Sequence, residues 1–330
     1  ESYDDELTAT IYDNPELMKL INEHQIEVNP KDMLGVRVGI INREGTELIL
    51  KFKEHMPELA KLMPWADRYH QSVSDGEELK QTMVDVDLVA LTGDYAQCRG
   101  VITTAQNLPN NDKLSIKTGG GRRNAYHRQV RKSADAERNR KLLEKLVAPE
   151  LHKYFDLEAD HLFVIGHENG HSLGPDNEYQ RALGLHRSTI EEEKADTVSI
   201  AFMPEYVKAG VIDAETLKKI YTTWVVYRLF LKAQPLEAHR VGELIHFNFL
   251  HDNGAFYFDE NNKLHINFDR FHEVVFAMLK ETIEVQLSKS SEKAKAFIDK
   301  YTNWGKHSQY IAEVQKELGV KNYIVIKDYF

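Results

Sequence analysis

The chain has 330 residues, 42% hydrophobic and 10% aromatic, enough to bury a substantial core, and its length suits two or three lobes. Lys and Arg number 42 against 52 Asp and Glu, a formal charge of −10, which argues against a general nucleic-acid binder or a protein that docks on anionic membranes. A single cysteine, Cys98, excludes an intrachain disulfide framework, and no apolar run approaches the ~20 residues that span a bilayer.

The opening ESYDDELTAT is neither a signal nor a transit peptide and lacks Met, so it reads as a processed or trimmed product. The lone cysteine favours the cytoplasm, while a removed leader leaves the periplasm or secretion open. Residues 33–50 alternate and are β-branched, with Arg43-Glu44-Gly45 as a turn; strand–turn–strand and strand–turn–helix both fit. Residues 51–70 are helical in pattern, interrupted at Pro57 and Pro64. A second β-like region runs from Val84 to Leu108, turning at Gly93-Asp94.

From about Ala125 the pattern becomes helical. Asp160 is a cap for a helix through Leu173, stopped by Gly174-Pro175. Ser188 with Glu191 is a capping-box signature for a helix ending at Pro204. Asp213 caps 214–233, Pro235 opens 236–251 and Asp269 caps 270–288, with a hairpin around Asn261-Asn262 before the last. The C-terminal VKNYIVIKDYF is strand-like. The whole predicts a mainly α protein with a smaller β-containing lobe (α+β). Residues 1–50, 84–118 and 317–330 form the smaller lobe, and 51–83 and 119–316 the helical one.

His167-Glu168-Asn169-Gly170-His171 is an HExxH. On a helix, residues i and i+4 share a face, so both imidazoles can reach one metal and Glu168 can take a proton from a water that the metal activates. Zinc needs a third protein ligand, with its fourth position open. Twenty-one residues after His171 stands Glu192, within Glu191-Glu192-Glu193-Lys194-Ala195-Asp196. Glu192 and Asp196 are again i and i+4, so Glu192 can bind the metal while Asp196 orients a ligand imidazole. Runs of this kind are usually solvated, but here the apolar Val198-Ser199-Ile200-Ala201-Phe202 follows. Carboxylates entering a buried helix need a cation. These residues predict one Zn²⁺ per chain on His167, His171 and Glu192.

With both motifs in hand, the chain resembles the zinc peptidase family of dipeptidyl peptidase III, which pairs an HExxGH or HExxH helix with an EExxAD helix. It is most similar to a shorter bacterial branch described only as zinc-dependent hydrolases, which shares the short spacing. Asn107-Leu108-Pro109-Asn110-Asn111-Asp112 looks like the family's segment N-[IL]-P-N-x-D, whose asparagines hold the substrate backbone; here they are Asn107 and Asn110. Glu237-Ala238-His239 resembles the stretch carrying the family's active-site histidine. Ile26-Glu27 matches the start of an Ile-Glu-Thr-Tyr segment, but Val28-Asn29 follow, so its Tyr does not carry over. The resemblance covers about residues 25–280. It implies a cleft between two lobes and hydrolysis of a peptide bond, with release of N-terminal dipeptides. Glu168 is then the general base, His239 a stabiliser of the oxyanion, and Asp196 and Glu191 supports of the metal ligands.

Several features have plainer readings. Thr118-Gly119-Gly120-Gly121 lacks the Gly-Lys-Ser/Thr ending of a phosphate loop and reads as a flexible turn. Residues 122–145 hold nine Lys or Arg against three acids, a solvated helix face in so acidic a protein. Within them, Arg122 or Arg123 is positioned to take a substrate carboxylate bidentately. Cys98 reads as a packing residue. The expected partner is a peptide or small amide substrate, with no nucleic acid and no membrane. A zinc hydrolase acting on a non-peptide amide or small metabolite is the alternative, and a non-catalytic zinc protein a third reading; nothing in the sequence sets the oligomeric state.

Overall fold

In the computed structural model, residues 35–71, 73, 82–93, 105–108, 123–127 and 136–319 are described. Strand β1 (Gly35–Asn42) passes directly into helix α1 (Arg43–Glu54). Arg43-Glu44-Gly45 is therefore the first helical turn and not a separate turn. The reason is Asn42, whose side-chain oxygen accepts the Gly45 N–H at 2.9 Å and caps the helix. Pro57 opens a new helix, α2 (Met56–Leu62), at a position where its missing N–H is no loss.

Strand β2 (Thr82–Gly93) pairs antiparallel with β1, with a bulge at Val38/Gly39. Strands β3 (Ala105–Leu108) and β4 (Arg123–His127) complete a mixed sheet of order β1-β2-β4-β3, in which β4 runs parallel to β2 and antiparallel to β3. Residues 123–127 are thus a strand and not the start of the helical region. Their alternation is too short to register against the basic run that follows, and pairing on both sides fixes them. Helix α1 lies on β2, so closely that a Cβ on Gly45 would sit 1.9 Å from the Asp85 carboxylate.

Among the described residues from Ala136 on, the regular elements are helices apart from one hairpin. The elements are α3 (Ala136–Leu146), α4 (Leu157–Gly170), the short α5 (Asn177–Arg181), α6 (Arg187–Lys208), α7 (Ala214–Tyr227), α8 (Ala238–Asp252), α9 (Phe268–Leu287), α10 (Ser291–Tyr301) and α11 (Lys306–Leu318). The hairpin β5 (Phe256–Phe258) and β6 (Leu264–Ile266) turns at Asn262, the left-handed residue. Asp156, not Asp160, caps α4, accepting the Glu158 N–H at 2.9 Å. Helix α6 starts at Arg187 without a side-chain cap and runs through Pro204 to Lys208. No capping box forms at Ser188, because Glu191 bonds His171 and Lys194. Asp213 caps α7 as its position suggested, but that helix ends at Tyr227. Glu237 caps α8, and Asp269 lies inside the first turn of α9, which follows Asn267. The strand-like C-terminus from residue 320, the Thr118–Gly121 turn and Cys98 lie outside the described residues.

Helix α6 is the axis of the helical part. It packs against α4, α7, α8 and α9 and is buried on every side from Glu193 to Met203, as a helix at the centre of a bundle must be. Strand β3 and helix α1 both touch α4, so the sheet is seated against the same helix. Among the described residues, no helix is long and apolar enough to cross a membrane.

Two glycines one turn apart let α4 and α6 meet. A Cβ on Gly166 would come within 2.3 Å of Ser199 Oγ, and one on Gly170 within 2.7 Å of the Ala195 carbonyl oxygen. The Ser199 hydroxyl can rotate, whereas the Ala195 backbone cannot move without the helix. Gly170→Ala is expected to destabilise the protein by about 1–3 kcal/mol through overpacking, read as a lower midpoint in urea unfolding, with Gly166→Ala milder.

Candidate metal centre

Helix α4 carries His167 and Glu168 and ends at His171; α6 supplies Glu191, Glu192 and Asp196. The close glycine contact sets the two motifs face to face. His167 Nε2 lies 3.1 Å from His171 Nε2 and 3.4 Å from Glu192 Oε2, and His171 Nε2 lies 3.6 Å from the same oxygen. Ligand atoms about 2.0–2.1 Å from a tetrahedral zinc are about 3.3 Å apart. The three atoms therefore already stand at the mutual distances that such an ion requires, and among the described residues His167, His171 and Glu192 are the group that could hold a metal ion.

The hydrogen bonds behind the imidazoles say what those three atoms are. His167 donates from Nδ1 to Asp196 Oδ1 at 2.6 Å, and His171 from Nδ1 to Glu191 Oε1 at 3.1 Å. A carboxylate only accepts, so each neutral ring keeps its proton on Nδ1 and turns a lone pair inward from Nε2. Two lone pairs then face each other and a carboxylate oxygen, Glu192 Oε2, which is buried with no hydrogen-bond donor. Three such atoms stay this close only with a proton or a cation between them. The residues present fit zinc, and a site of two His and one carboxylate leaves one position open.

Electrostatics separates the carboxylates into two kinds. Burial opposes ionisation at Glu192, yet the His171, His167 and His239 rings hold it down at about 2. Asp196 is likewise buried but lies well below the usual carboxylate range because of Arg228 and His167, and Glu191 is lowered against burial by Lys194 and His171. Glu168 goes the other way, raised by burial. Burial also works against a charged His167, but its bonds to Asp196 and Glu192 outweigh that and hold it well above the ordinary value. Carboxylates pushed in opposite directions are the arrangement from which acid–base pairs are made.

The remaining candidates are spread more widely. His239, at the start of α8, is half exposed; its Nδ1 lies 3.5 Å from Glu192 Oε2 and its ring 6.0 Å from that of His167. It therefore flanks the three convergent atoms from the solvent side. Asn107 is in β3, opposite Asn124 of β4, on a strand that packs against α4. Asn110 and Arg122 lie outside the described residues, as does the Ile26-Glu27 segment.

Sequence reasoning passed over Arg228, Lys194, Gln286 and His246. Arg228 Nη2 donates to Asp196 Oδ2 at 2.8 Å, Lys194 Nζ lies 2.9 Å from Glu191 Oε1, and Gln286 donates to Glu191 Oε2 at 3.2 Å. His246 is fully buried, 3.7 Å from Asp196 Oδ2. A signal existed for Lys194, which sits inside the EEEKAD run and enters a buried helix with its carboxylates.

No family model matches the chain. It is 22% identical over 275 residues to Nudix hydrolase 3 of Arabidopsis thaliana, which covers 80% of this chain and 34% of that protein. Among solved structures it is similar to dipeptidyl peptidase III from Caldithrix abyssi, at 22% identity and a TM-score of 0.74 over 86% of this chain and 58% of that one. It is also similar to dipeptidyl-peptidase III from Corallococcus sp. strain EGB, at 19% identity and 0.74, covering 86% and 53% respectively. The fold is therefore that of the dipeptidyl peptidase III structures, mainly helical with a small β-containing part. The chain spans about a third of the curated relative and little more than half of each solved structure.

The buried His246 predicts an acid response. Burial, with Arg228 nearby, lowers it from 6.5 to about 3, so between those values the unfolded chain binds a proton that the folded one refuses. Stability should fall as pH drops through that window, by up to about 1.4 kcal/mol per pH unit. Urea unfolding of chelator-treated protein at several pH values should show this slope, and His246→Gln should flatten it.

Proposed function

We propose that the chain is a zinc-dependent hydrolase that cleaves a peptide or related amide bond, a dipeptidyl-peptidase-III-like reaction. The observation that carries this is the convergence of His167 Nε2, His171 Nε2 and Glu192 Oε2, with both Nδ1 protons held by carboxylates. The fold shared with dipeptidyl peptidase III structures supports it.

His167, His171 and Glu192 would hold the ion. Bound there, zinc supplies a Lewis acid that polarises the scissile carbonyl and makes water acidic enough to attack near neutral pH. Glu168, beside His167 on α4 and raised by burial, takes the proton of the attacking water and passes it to the leaving amine. His239, on the exposed side of the three ligand atoms, donates a hydrogen bond to the oxyanion as it forms. Strand β3 stands at the end of the sheet order and against α4, so an extended substrate can add along it with Asn107 and Asn110 holding its main chain. The role that fits Arg122 is to take a substrate carboxylate bidentately. Substrates of this kind are peptides or small amides, and release of N-terminal dipeptides is the mode that the resemblance implies.

The test is metal content together with cleavage of aminoacyl and dipeptidyl reporter amides. Wild type is expected to carry one equivalent of zinc and to cleave. Glu168→Gln should keep the zinc and lose at least ~10²-fold in turnover, whereas His171→Ala and Glu192→Ala should lose the metal itself. Undiminished turnover in Glu168→Gln would overturn its role as base. Zinc bound without cleavage of any peptide amide would move the substrate to non-peptide amides or small metabolites.

A further inference from the structure

We propose that Arg228 and Lys194 are positioning residues of the metal centre, two buried cations that act through Asp196 and Glu191 to hold the ligand imidazoles in place. The inference rests on the zinc-binding reading above.

Each ligand ring is backed by a carboxylate, and each carboxylate is backed in turn by a cation from a different place in the fold. Asp196 gives Oδ1 to His167 and Oδ2 to Arg228, at 2.6 and 2.8 Å. With both oxygens engaged, the carboxylate cannot rotate about its terminal bond, so the direction of the His167 ring is fixed as well. Arg228 is itself held. It follows the last residue of α7, its side chain is 6% exposed, and its guanidinium lies over the Trp224 and Phe163 rings at 4.6 and 5.5 Å from their centroids.

On the other arm, Glu191 Oε1 receives both His171 Nδ1 and Lys194 Nζ, while Oε2 accepts from Gln286. Lys194 has no exposed surface and also donates to the Leu173 carbonyl at 2.7 Å, just past the end of the zinc helix. A Lys buried this completely is rare unless paired.

Charge gives the reason for both. Glu168, Glu191, Glu192 and Asp196 are four carboxylates within one buried region. One dication neutralises two of them. Arg228 and Lys194 place two further positive charges directly against Asp196 and Glu191. Without the cations, Asp196 and Glu191 would be buried anions with an incentive to leave the rings or take up a proton.

The experiment measures zinc affinity by chelator competition and the visible spectrum of the cobalt-substituted protein. Four forms are compared: wild type, Arg228→Met, Asp196→Asn and the double variant. Arg228→Met is expected to weaken zinc binding by about 10–100-fold and to shift the cobalt bands, with Arg228→Lys restoring part of the affinity. Because Arg228 acts through Asp196, its loss in the Asp196→Asn background should change affinity by less than about 3-fold. Lys194→Met and Glu191→Gln should form an equivalent cycle. Equal losses in both backgrounds, or an Arg228→Met protein with wild-type affinity and spectrum, would overturn the proposal. Should Arg228→Met fail to fold, Asp196→Asn against the double variant, which keeps neither charge of the pair, still decides it: a difference above about 3-fold refutes it. Wild type that binds neither zinc nor cobalt would instead remove the reading on which the inference stands.

Discussion

Three atoms, His167 Nε2, His171 Nε2 and Glu192 Oε2, meet at 3.1–3.6 Å. With both rings neutral the arrangement is repulsive, and it calls for a proton or a cation between the three atoms. It exists because each ring is held from behind by a carboxylate, and because α4 and α6 approach closely enough at Gly166 and Gly170 to bring the two motifs together. The packing of the helical part, in which α6 is enclosed by four other helices, makes the approach rigid. A metal ion at the meeting point would bind all three atoms at once, and metal binding and folding would then be coupled.

Burying so many charges is costly unless each finds a partner, and the structure arranges partners in sequence. The imidazoles lean on Asp196 and Glu191, and these lean on Arg228 and Lys194. At Glu168 burial instead raises the proton affinity. This difference in environment, not a difference in residue type, distinguishes the carboxylate suited to move a proton from those suited to hold a metal or orient a ring. His239, half exposed beside the ligands, is open to substrate as none of the supporting residues is.

The centre was legible in the sequence because both of its motifs are local. HExxH and the EEEKAD run each occupy little more than one helical turn, and i, i+4 geometry alone puts His167 with His171 and Glu192 with Asp196. The long helices were legible too, since α4, α6, α7 and α8 bury wide apolar faces. Their starting points were read less well. Asp156 outcompeted Asp160 as a cap, and Glu191 was drawn from capping duty to His171, both choices set by tertiary partners. Arg228 was invisible for the same reason: thirty-two residues separate it from Asp196, and no local pattern joins them. Strand β4 exists through its pairing with β2 and β3 and gave no helix-breaking signal of its own. Asn110 and Arg122 fall outside the described residues, so their part in the site rests on the resemblance and on chemistry.

The central claim is that the three acceptor atoms are the ligands of one metal ion. A crystal structure of the purified protein with anomalous data on both sides of the zinc edge tests it directly. The account predicts a single strong anomalous peak about 2.0–2.2 Å from His167 Nε2, His171 Nε2 and Glu192 Oε2, absent below the edge and absent in His171→Ala. A zinc-loaded crystal with no peak there, and with the two imidazoles joined by a proton between their Nε2 atoms, would contradict it.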